Sequence, residues 1–353
     1  MSDECPKCRW YAADGKPFCG ACGRSLSGFE SDHPFAQRNQ NTVPNKTQSG
    51  LAGQILMAAC ILIIFIAFFE VLTLLVHSGE IFGFLSNKTL GFFIIIPTPY
   101  VVFHLQETVL QEYWVLVVLI IVSCAAAAIW KFIETIRSSH GFEDPDAVEN
   151  TAVFWVSVSL AAIMAVNFVV TFIVLASGSD ITVPDFGDKI ETMFLVADAA
   201  VWEEVVARTL YIGVPMMFIS LLAGKKGALR CLLGGFGMSM TAAVLIIISG
   251  VIFGLAHYSG WDDQAWKVLT AGIMGMFLGY VFVRFGLYAS ILLHFMTNYL
   301  SSFDWMGVGG LEIFVTMLLL GLGFIALFYI LKRLWGYRGN DTIPILHNDY
   351  IKK

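Results

Sequence analysis

Long apolar stretches are the feature that most constrains the fold of this 353-residue chain. A helix needs roughly 20 consecutive apolar residues to cross the hydrocarbon core of a bilayer. Charged residues make up only 14% of the chain, against roughly 25% in a soluble domain. The sequence therefore predicts an all-α polytopic membrane protein with about eight transmembrane helices. Their expected positions are 51–77, 113–136, 151–177, 192–223, 232–257, 266–284, 286–303 and 308–331.

One further apolar stretch, 90–103, is interrupted by Pro97 and Pro99. We expect a short interfacial or re-entrant element there rather than another crossing. Glu70 and Glu134 lie towards the ends of their stretches, and we interpret them as interfacial residues.

Basic residues collect at alternate ends of the predicted spans, and the loops at the other ends, such as 178–191 and 258–265, are acidic. Because basic loops stay in the cytoplasm, we expect an integral protein of the cell membrane with cytoplasmic N- and C-termini. The polar first 50 residues predict no cleavable signal peptide. The sequence contains no basic patch that would indicate a nucleic-acid partner. The basic residues are Lys131, Arg137, Lys225, Lys226, Arg230, Arg284, Lys332, Arg333 and Arg338.

Four cysteines near the N-terminus form two pairs, Cys5-x2-Cys8 and Cys19-x2-Cys22. Two such pairs can close a tetrahedral zinc site, and a module this small needs the metal to fold. We expect a zinc ribbon over 1–26 with a structural zinc, a redox or disulfide pair being the alternative. A site filled by four thiolates has no open position for catalysis, so its role would be contact with a protein partner. A flexible linker follows at 27–50.

Ionisable residues inside the fourth stretch are the densest such group in the chain, and residues of this kind mark functional sites. Asp198, Glu203, Glu204 and Arg208 all lie there. Glu204 and Arg208 are four apart, so they share a helix face and can neutralise each other. Glu203 points about 100° away and is therefore the carboxylate free to act as a general base. The alternative is an ion-paired packing network between helices.

Two later stretches add polar residues at helical spacing. Phe253 and His257 share a face of the fifth, and His294 and Asn298 share a face of the seventh. Either histidine alone could be an interfacial residue or a satisfied hydrogen-bonding partner. Three stretches that each bring polar groups into the bilayer favour one shared site.

The motifs Glu203-Glu204-x3-Arg208, Phe253-x3-His257 and His294-x3-Asn298, in this order, resemble those of the CPBP family. These are the CaaX prenyl-endopeptidase and bacteriocin-processing intramembrane proteases, also called the Abi family. The resemblance covers about 190–303, which we take as the protease core. N-terminal transmembrane helices at 51–189 precede it, and the last helix with a cytoplasmic tail follows at 304–353.

The resemblance implies an intramembrane endopeptidase that acts on a membrane-associated peptide or lipidated protein. Glu203 and His257 would activate a water molecule, and His294 and Asn298 would form an oxyanion hole. Glu204 and Arg208 would hold the site together.

Other functions stay open at this point. Glu203, His257 and His294 could instead bind a catalytic zinc, although no HExxH is present and we favour the metal-free mechanism. The polar cluster could serve a transporter, or the chain could be a non-enzymatic membrane scaffold. Glu203 also lies about eleven residues from the outer end of its predicted span. CaaX processing takes place on cytoplasmic tails, so a site nearer the outer end needs an explanation. Either that span starts later than predicted, or the cavity opens outward or sideways.

Overall fold

The structure is a computed structural model that describes residues 51–336, apart from 97, 139–144, 183, 185, 186, 262 and 263. The chain divides into two units, Met1–Gly50 and Leu51–Lys353, and the described residues belong to the second. The predicted zinc ribbon with its four cysteines, the linker and the tail after residue 336 lie outside the described residues.

Helices make up most of the described chain, as the apolar stretches predict. Seven of these described helical segments are long and apolar enough to cross a membrane. The helices are α1 (Leu51–Phe84), α2 (Glu107–Ser138), α3 (Pro145–Glu149), α4 (Ala152–Ala176), α5 (Lys189–Glu204), α6 (Val214–Leu222), α7 (Met240–Ser259), α8 (Ala265–Phe285), α9 (Leu287–Asn298), α10 (Ser302–Trp305) and α11 (Gly309–Gly336). A π-helical segment, Val205–Gly213, joins α5 to α6 into one continuous span.

The seventh predicted span, 286–303, is broken into α9 and the short α10. At the start of this segment Arg284 donates to Asn150 Oδ1 (2.9 Å), next to the start of α4. At its far end the carbonyl of Trp305 accepts from Lys189 Nζ (2.6 Å), at the start of α5. Since α4 lies between Asn150 and the loop leading to Lys189, α9 and α10 together connect opposite ends of the bundle. The segment therefore crosses, although its regular helix is only 12 residues long.

We call the end of the bundle that holds Lys131 and Arg284 the basic end. Lys131 Nζ lies 4.2 Å from the ring centroid of Tyr288, which places the C-terminal part of α2 beside the start of α9. The other end carries a β-hairpin, and we call it the hairpin end.

The stretch 90–103, predicted to be a short interfacial or re-entrant element rather than a crossing, lies in this hairpin. Strand β1 (Thr89–Ile96) pairs antiparallel with β2 (Thr98–Gln106), with a register shift between Phe92 and Phe93. Trp202 Nε1 donates to the Phe93 carbonyl (2.9 Å), and the Tyr211 hydroxyl donates to the Ile95 carbonyl. These two side chains tie β1 to the span that carries the predicted catalytic residues.

Helices α7 and α8 pack closely because glycines face each other at their contact. A Cβ on Gly254 would lie 2.5 Å from the Val268 carbonyl oxygen, and one on Gly250 would lie 2.6 Å from Met276 Cγ. Small residues let backbones approach in this way in membrane bundles. The close contact fixes the height and rotation of α7, which carries Phe253 and His257.

The interpretation of Glu70 as an interfacial residue is wrong. Its side chain is fully buried on α1. Neither carboxyl oxygen has a hydrogen-bond partner among the described residues, and the same holds for the hydroxyl of buried Tyr299. Packing of α1 against the rest of the bundle, rather than its position along the span, decides this burial.

Candidate active site

A cavity of about 470 Å³ lies among α5, α7, α8, α9 and the hairpin. Four of the six predicted site residues line it: Glu203, His257, His294 and Asn298. The other two, Glu204 and Arg208, are fully buried behind that lining. The structure therefore brings together residues that lie up to 95 positions apart (203 to 298) in the sequence.

Glu204 and Arg208 form the buried ion pair that their spacing predicts. Arg208 Nε donates to Glu204 Oε2 at 3.2 Å, and both side chains have no exposed surface. Arg208 Nη1 donates to Ser249 Oγ (2.7 Å), and Ser249 Oγ donates to the Ala207 carbonyl (2.6 Å). The Ser290 hydroxyl donates to Glu204 Oε2. Because buried charges need both a partner and hydrogen bonds, this network is what allows Glu204 to stay in the core.

His294 joins the two glutamates. Its Nδ1 lies 3.0 Å from Glu204 Oε1, and its Nε2 lies 3.8 Å from Glu203 Oε2. A carboxylate paired with arginine accepts hydrogen bonds, so we assign the Nδ1 proton to the bond with Glu204. That assignment leaves Nε2 facing Glu203 and the cavity.

Glu203 is the less buried of the two glutamates, with 17% of its side chain exposed. Among the described side chains that line the cavity it is the only carboxylate. Its position confirms that it faces away from Arg208, which pairs with Glu204. A carboxylate in that place can reach a water molecule in the cavity.

His257 and Asn298 complete the lining from α7 and α9. Nδ1 of His257 lies 2.8 Å from the Phe253 carbonyl, an acceptor, so this nitrogen carries the proton and Nε2 has a free lone pair in the neutral ring. Asn298 Nδ2 donates one hydrogen bond to the Val196 carbonyl (3.3 Å). Its second N–H is available to another acceptor.

Phe253 lies against three of these polar groups. Its ring centroid is 4.7 Å from that of His257 and 5.9 Å from that of His294, and the Arg208 guanidinium lies 4.9 Å from it. The ring excludes water from the ion pair and fixes both imidazoles. Helical spacing with His257 is the signal that identified it.

Two serines belong to the site that the sequence did not single out. Ser249 precedes Phe253 by four positions, and Ser290 precedes His294 by four, so each extends a motif by one turn on the same face. This spacing was available in the sequence. Asp198, the other ionisable residue of this group in the sequence, does not line the cavity and accepts a hydrogen bond from the Tyr113 hydroxyl (2.5 Å).

The cavity is lined from the hairpin end, where Phe93 and Ile95 of β1 and Trp261 beyond α7 contribute side chains. The span that carries Glu203 starts at Lys189, earlier than predicted. The possibility that it starts later is therefore wrong.

The described part of the chain contains no group of three or more His, Cys, Asp and Glu side chains arranged to hold a metal ion. Glu203, His257 and His294 share the cavity but do not form such a group. The donor set considered for a catalytic zinc therefore does not fit in this arrangement.

Residues 189–300 match the family model described as type II CAAX prenyl endopeptidase Rce1-like. The match spans 112 of the 353 residues, counted from 189 to 300, and contains all six predicted site residues. The match supports the resemblance to the CPBP family. It also supports the prediction of an integral membrane protein that is similar to CaaX-type peptidases. Searches of curated proteins and of solved structures returned no match.

Proposed function

We propose that this protein is an intramembrane endopeptidase that hydrolyses a peptide bond with a water molecule activated by Glu203 and His257. The observation that carries the proposal is the cavity in which Glu203, His257, His294 and Asn298 meet in front of the buried Glu204–Arg208 pair. Peptide hydrolysis requires both an activated water and hydrogen-bond donors where negative charge develops. This lining offers both.

In the first step, Glu203 takes a proton from the water molecule while the water oxygen attacks the scissile carbonyl carbon. The neutral His257 ring accepts a hydrogen bond through Nε2 and holds the water in place, because its Nδ1 proton is donated to the Phe253 carbonyl. The carbonyl oxygen becomes an oxyanion on a tetrahedral carbon.

Asn298 and His294 bind this oxyanion. Asn298 uses its second N–H, since the first is donated to the Val196 carbonyl. His294 can donate from Nε2 only when the ring carries both protons, because its Nδ1 proton is donated to Glu204. Glu203 then returns the proton to the leaving nitrogen as the C–N bond breaks.

The test compares purified wild type with Glu203→Gln on a library of membrane-tethered peptides. We expect cleavage by the wild type and a loss of at least about 1000-fold in the variant, since the base is removed. Glu134→Gln, which changes an exposed glutamate on α2, is the matched control and should cleave like the wild type. Equal cleavage by Glu203→Gln and wild type would refute the role of Glu203.

We place the basic end in the cytoplasm, following the preference of basic loops for that side. Both termini are then cytoplasmic, and the cavity opens towards the outer side of the membrane. CaaX processing takes place on cytoplasmic tails, so this orientation favours other membrane-associated peptides over prenylated tails. Labelling of single cysteines at 86 and 226 from either side of sealed vesicles tests the orientation.

For the N-terminus we propose that Cys5, Cys8, Cys19 and Cys22 bind one structural zinc and recruit a protein partner. The full chain should contain one zinc, and Cys5→Ser with Cys19→Ser should contain none while retaining protease activity. Zinc retained in stoichiometric amount by the double variant would contradict both this assignment and the metal-free mechanism.

A further inference from the structure

Lys267 is a cationic residue of the cavity with no role in the mechanism above. It lies in the first turn of α8 and lines the cavity together with Glu203 and His257. Its Nζ lies 3.7 Å from the ring centroid of Trp261, directly over the indole. Among the described residues, no carboxylate oxygen lies within 4.0 Å of this ammonium.

A lysine near the end of a span ordinarily extends its ammonium towards water. Here the ammonium instead lies over an aromatic ring inside the cavity. A cation over an aromatic ring gains about 1–2 kcal/mol, which offsets only part of the cost of removing the charge from water. The three N–H donors of the ammonium are still available to an anionic ligand.

The position of Lys267 leaves Glu203 free to act as a base while the ammonium is free to bind an anion. Glu203 has to remain available to water, and it does not form an ion pair with Lys267 within 4.0 Å. The cavity, at about 470 Å³, is in the size range of small-ligand sites, which is large enough for a short stretch of peptide. An anionic group bound at Lys267 therefore lies within a few residues of the peptide bond that the water activated by Glu203 attacks.

We infer that Lys267 is a substrate-recognition residue that binds a carboxylate of the peptide close to the scissile bond. The carboxylate comes either from the C-terminus of the peptide or from an Asp or Glu side chain. Both sources present the same chemistry to the ammonium. The inference rests on the proposed function, which it deepens by defining the substrate as a peptide with an anion at that position.

The test measures binding, so that it does not depend on turnover. Full-length Glu203→Gln protein in detergent is titrated with dansyl-Ala-Leu-Val-Ala-Leu-Val ending in a carboxylate or in a carboxamide. A third, amidated peptide carries Glu in place of the second Leu. We expect at least one of the two carboxylate peptides to bind at least 10-fold more tightly than the neutral peptide. Comparison of the two carboxylate peptides then shows whether Lys267 binds a C-terminal or a side-chain carboxylate.

Variants of Lys267 then connect the preference to this side chain. In the Glu203→Gln background, Lys267→Met should reduce the ratio of affinities to about 1, and Lys267→Arg should preserve most of it. Lys226→Met, at an exposed lysine between α6 and α7, is the matched control and should keep the ratio. Melting temperatures of all variants show whether each is folded.

Three results would overturn the inference: affinities within twofold for all peptides, an unchanged ratio in Lys267→Met, or the same loss in Lys226→Met. The proposed function fails separately, if the active protein cleaves none of the membrane-tethered peptides. Selective carboxylate binding without any cleavage would support carboxylate binding by Lys267 and would refute the proposed protease function.

Discussion

Nδ1 of His294 lies 3.0 Å from Oε1 of Glu204, although the two residues are 90 positions apart and belong to different helices. This bond fixes the rotation of the imidazole and turns its Nε2 towards Glu203 and the cavity. Glu204 in turn is held by Arg208 and Ser290. The second glutamate of the motif thus supports the histidine, while the first faces the cavity.

Neutralising Glu204 should therefore destabilise the fold. Glu204→Gln leaves Arg208 buried without its counter-ion, and breaking a buried pair from one side costs about 3–5 kcal/mol. We expect a clear drop in the melting temperature in detergent, whereas Glu203→Gln should melt like the wild type. The double variant Glu204→Gln with Arg208→Met removes the unpaired charge and should recover much of the lost stability. Equal melting of the two single variants would contradict the assigned roles.

A methyl group at Gly254 should separate α7 from α8. The new Cβ would lie 2.5 Å from the Val268 carbonyl oxygen, so the backbones have to move apart. Overpacking of this kind costs about 1–3 kcal/mol, and the shift also displaces His257 from the cavity wall. Gly254→Ala should lower both the melting temperature and the rate of cleavage. Gly321→Ala, with no atom within 4 Å of the added Cβ, should be tolerated.

The attachment of the hairpin can be tested by hydrogen exchange. Trp202→Phe keeps an aromatic ring beside Phe92 but removes the donor to the Phe93 carbonyl. Amides of 89–106 should then exchange faster in mass spectrometry. Trp130→Phe, at an exposed tryptophan of α2, is the control. Unchanged exchange in Trp202→Phe would mean that the bond does not hold the hairpin.

Replacing Glu70 should stabilise the protein. A buried polar group without a partner costs about 1–3 kcal/mol, and neither oxygen of Glu70 has one among the described residues. Glu70→Met should raise the melting temperature, whereas Glu134→Met, at an exposed position, should change it little. A lower melting temperature in Glu70→Met would indicate that the carboxyl binds a ligand.

The sequence predicts which polar residues lie together in the bundle, because ionisable residues are rare inside apolar stretches. Spacing of four residues places Glu204 with Arg208 and His294 with Asn298 on common faces, and the structure has both pairs where the spacing puts them. Lys267 was not singled out, since a lysine at the start of a span is ordinary. Its position over Trp261 depends on how the chain folds after α7.

The hairpin and the break after α9 could not be predicted in the same way. The stretch 90–103 has no regular alternation of apolar and polar residues, because β1 is buried in part against Trp202 and Tyr113 rather than half-solvated. The seventh apolar stretch looks uniform up to residue 303, and only the structure shows that its regular helix ends at Asn298. Tertiary packing decides both features.

The end of α9 at Asn298 has a consequence for the supply of water. Irregular backbone at membrane depth is tolerated only where protein buries it or where a hydrated space receives its polar groups. Part of this turn is satisfied internally, by the bonds from Tyr299 N to Phe295 O and from Ser302 N to Tyr299 O, each 2.8 Å. Every peptide bond that is hydrolysed consumes a water molecule, which an unbroken apolar helix would keep out. In the proposed mechanism the regular helix thus ends at Asn298, a residue that lines the cavity from which this water is taken.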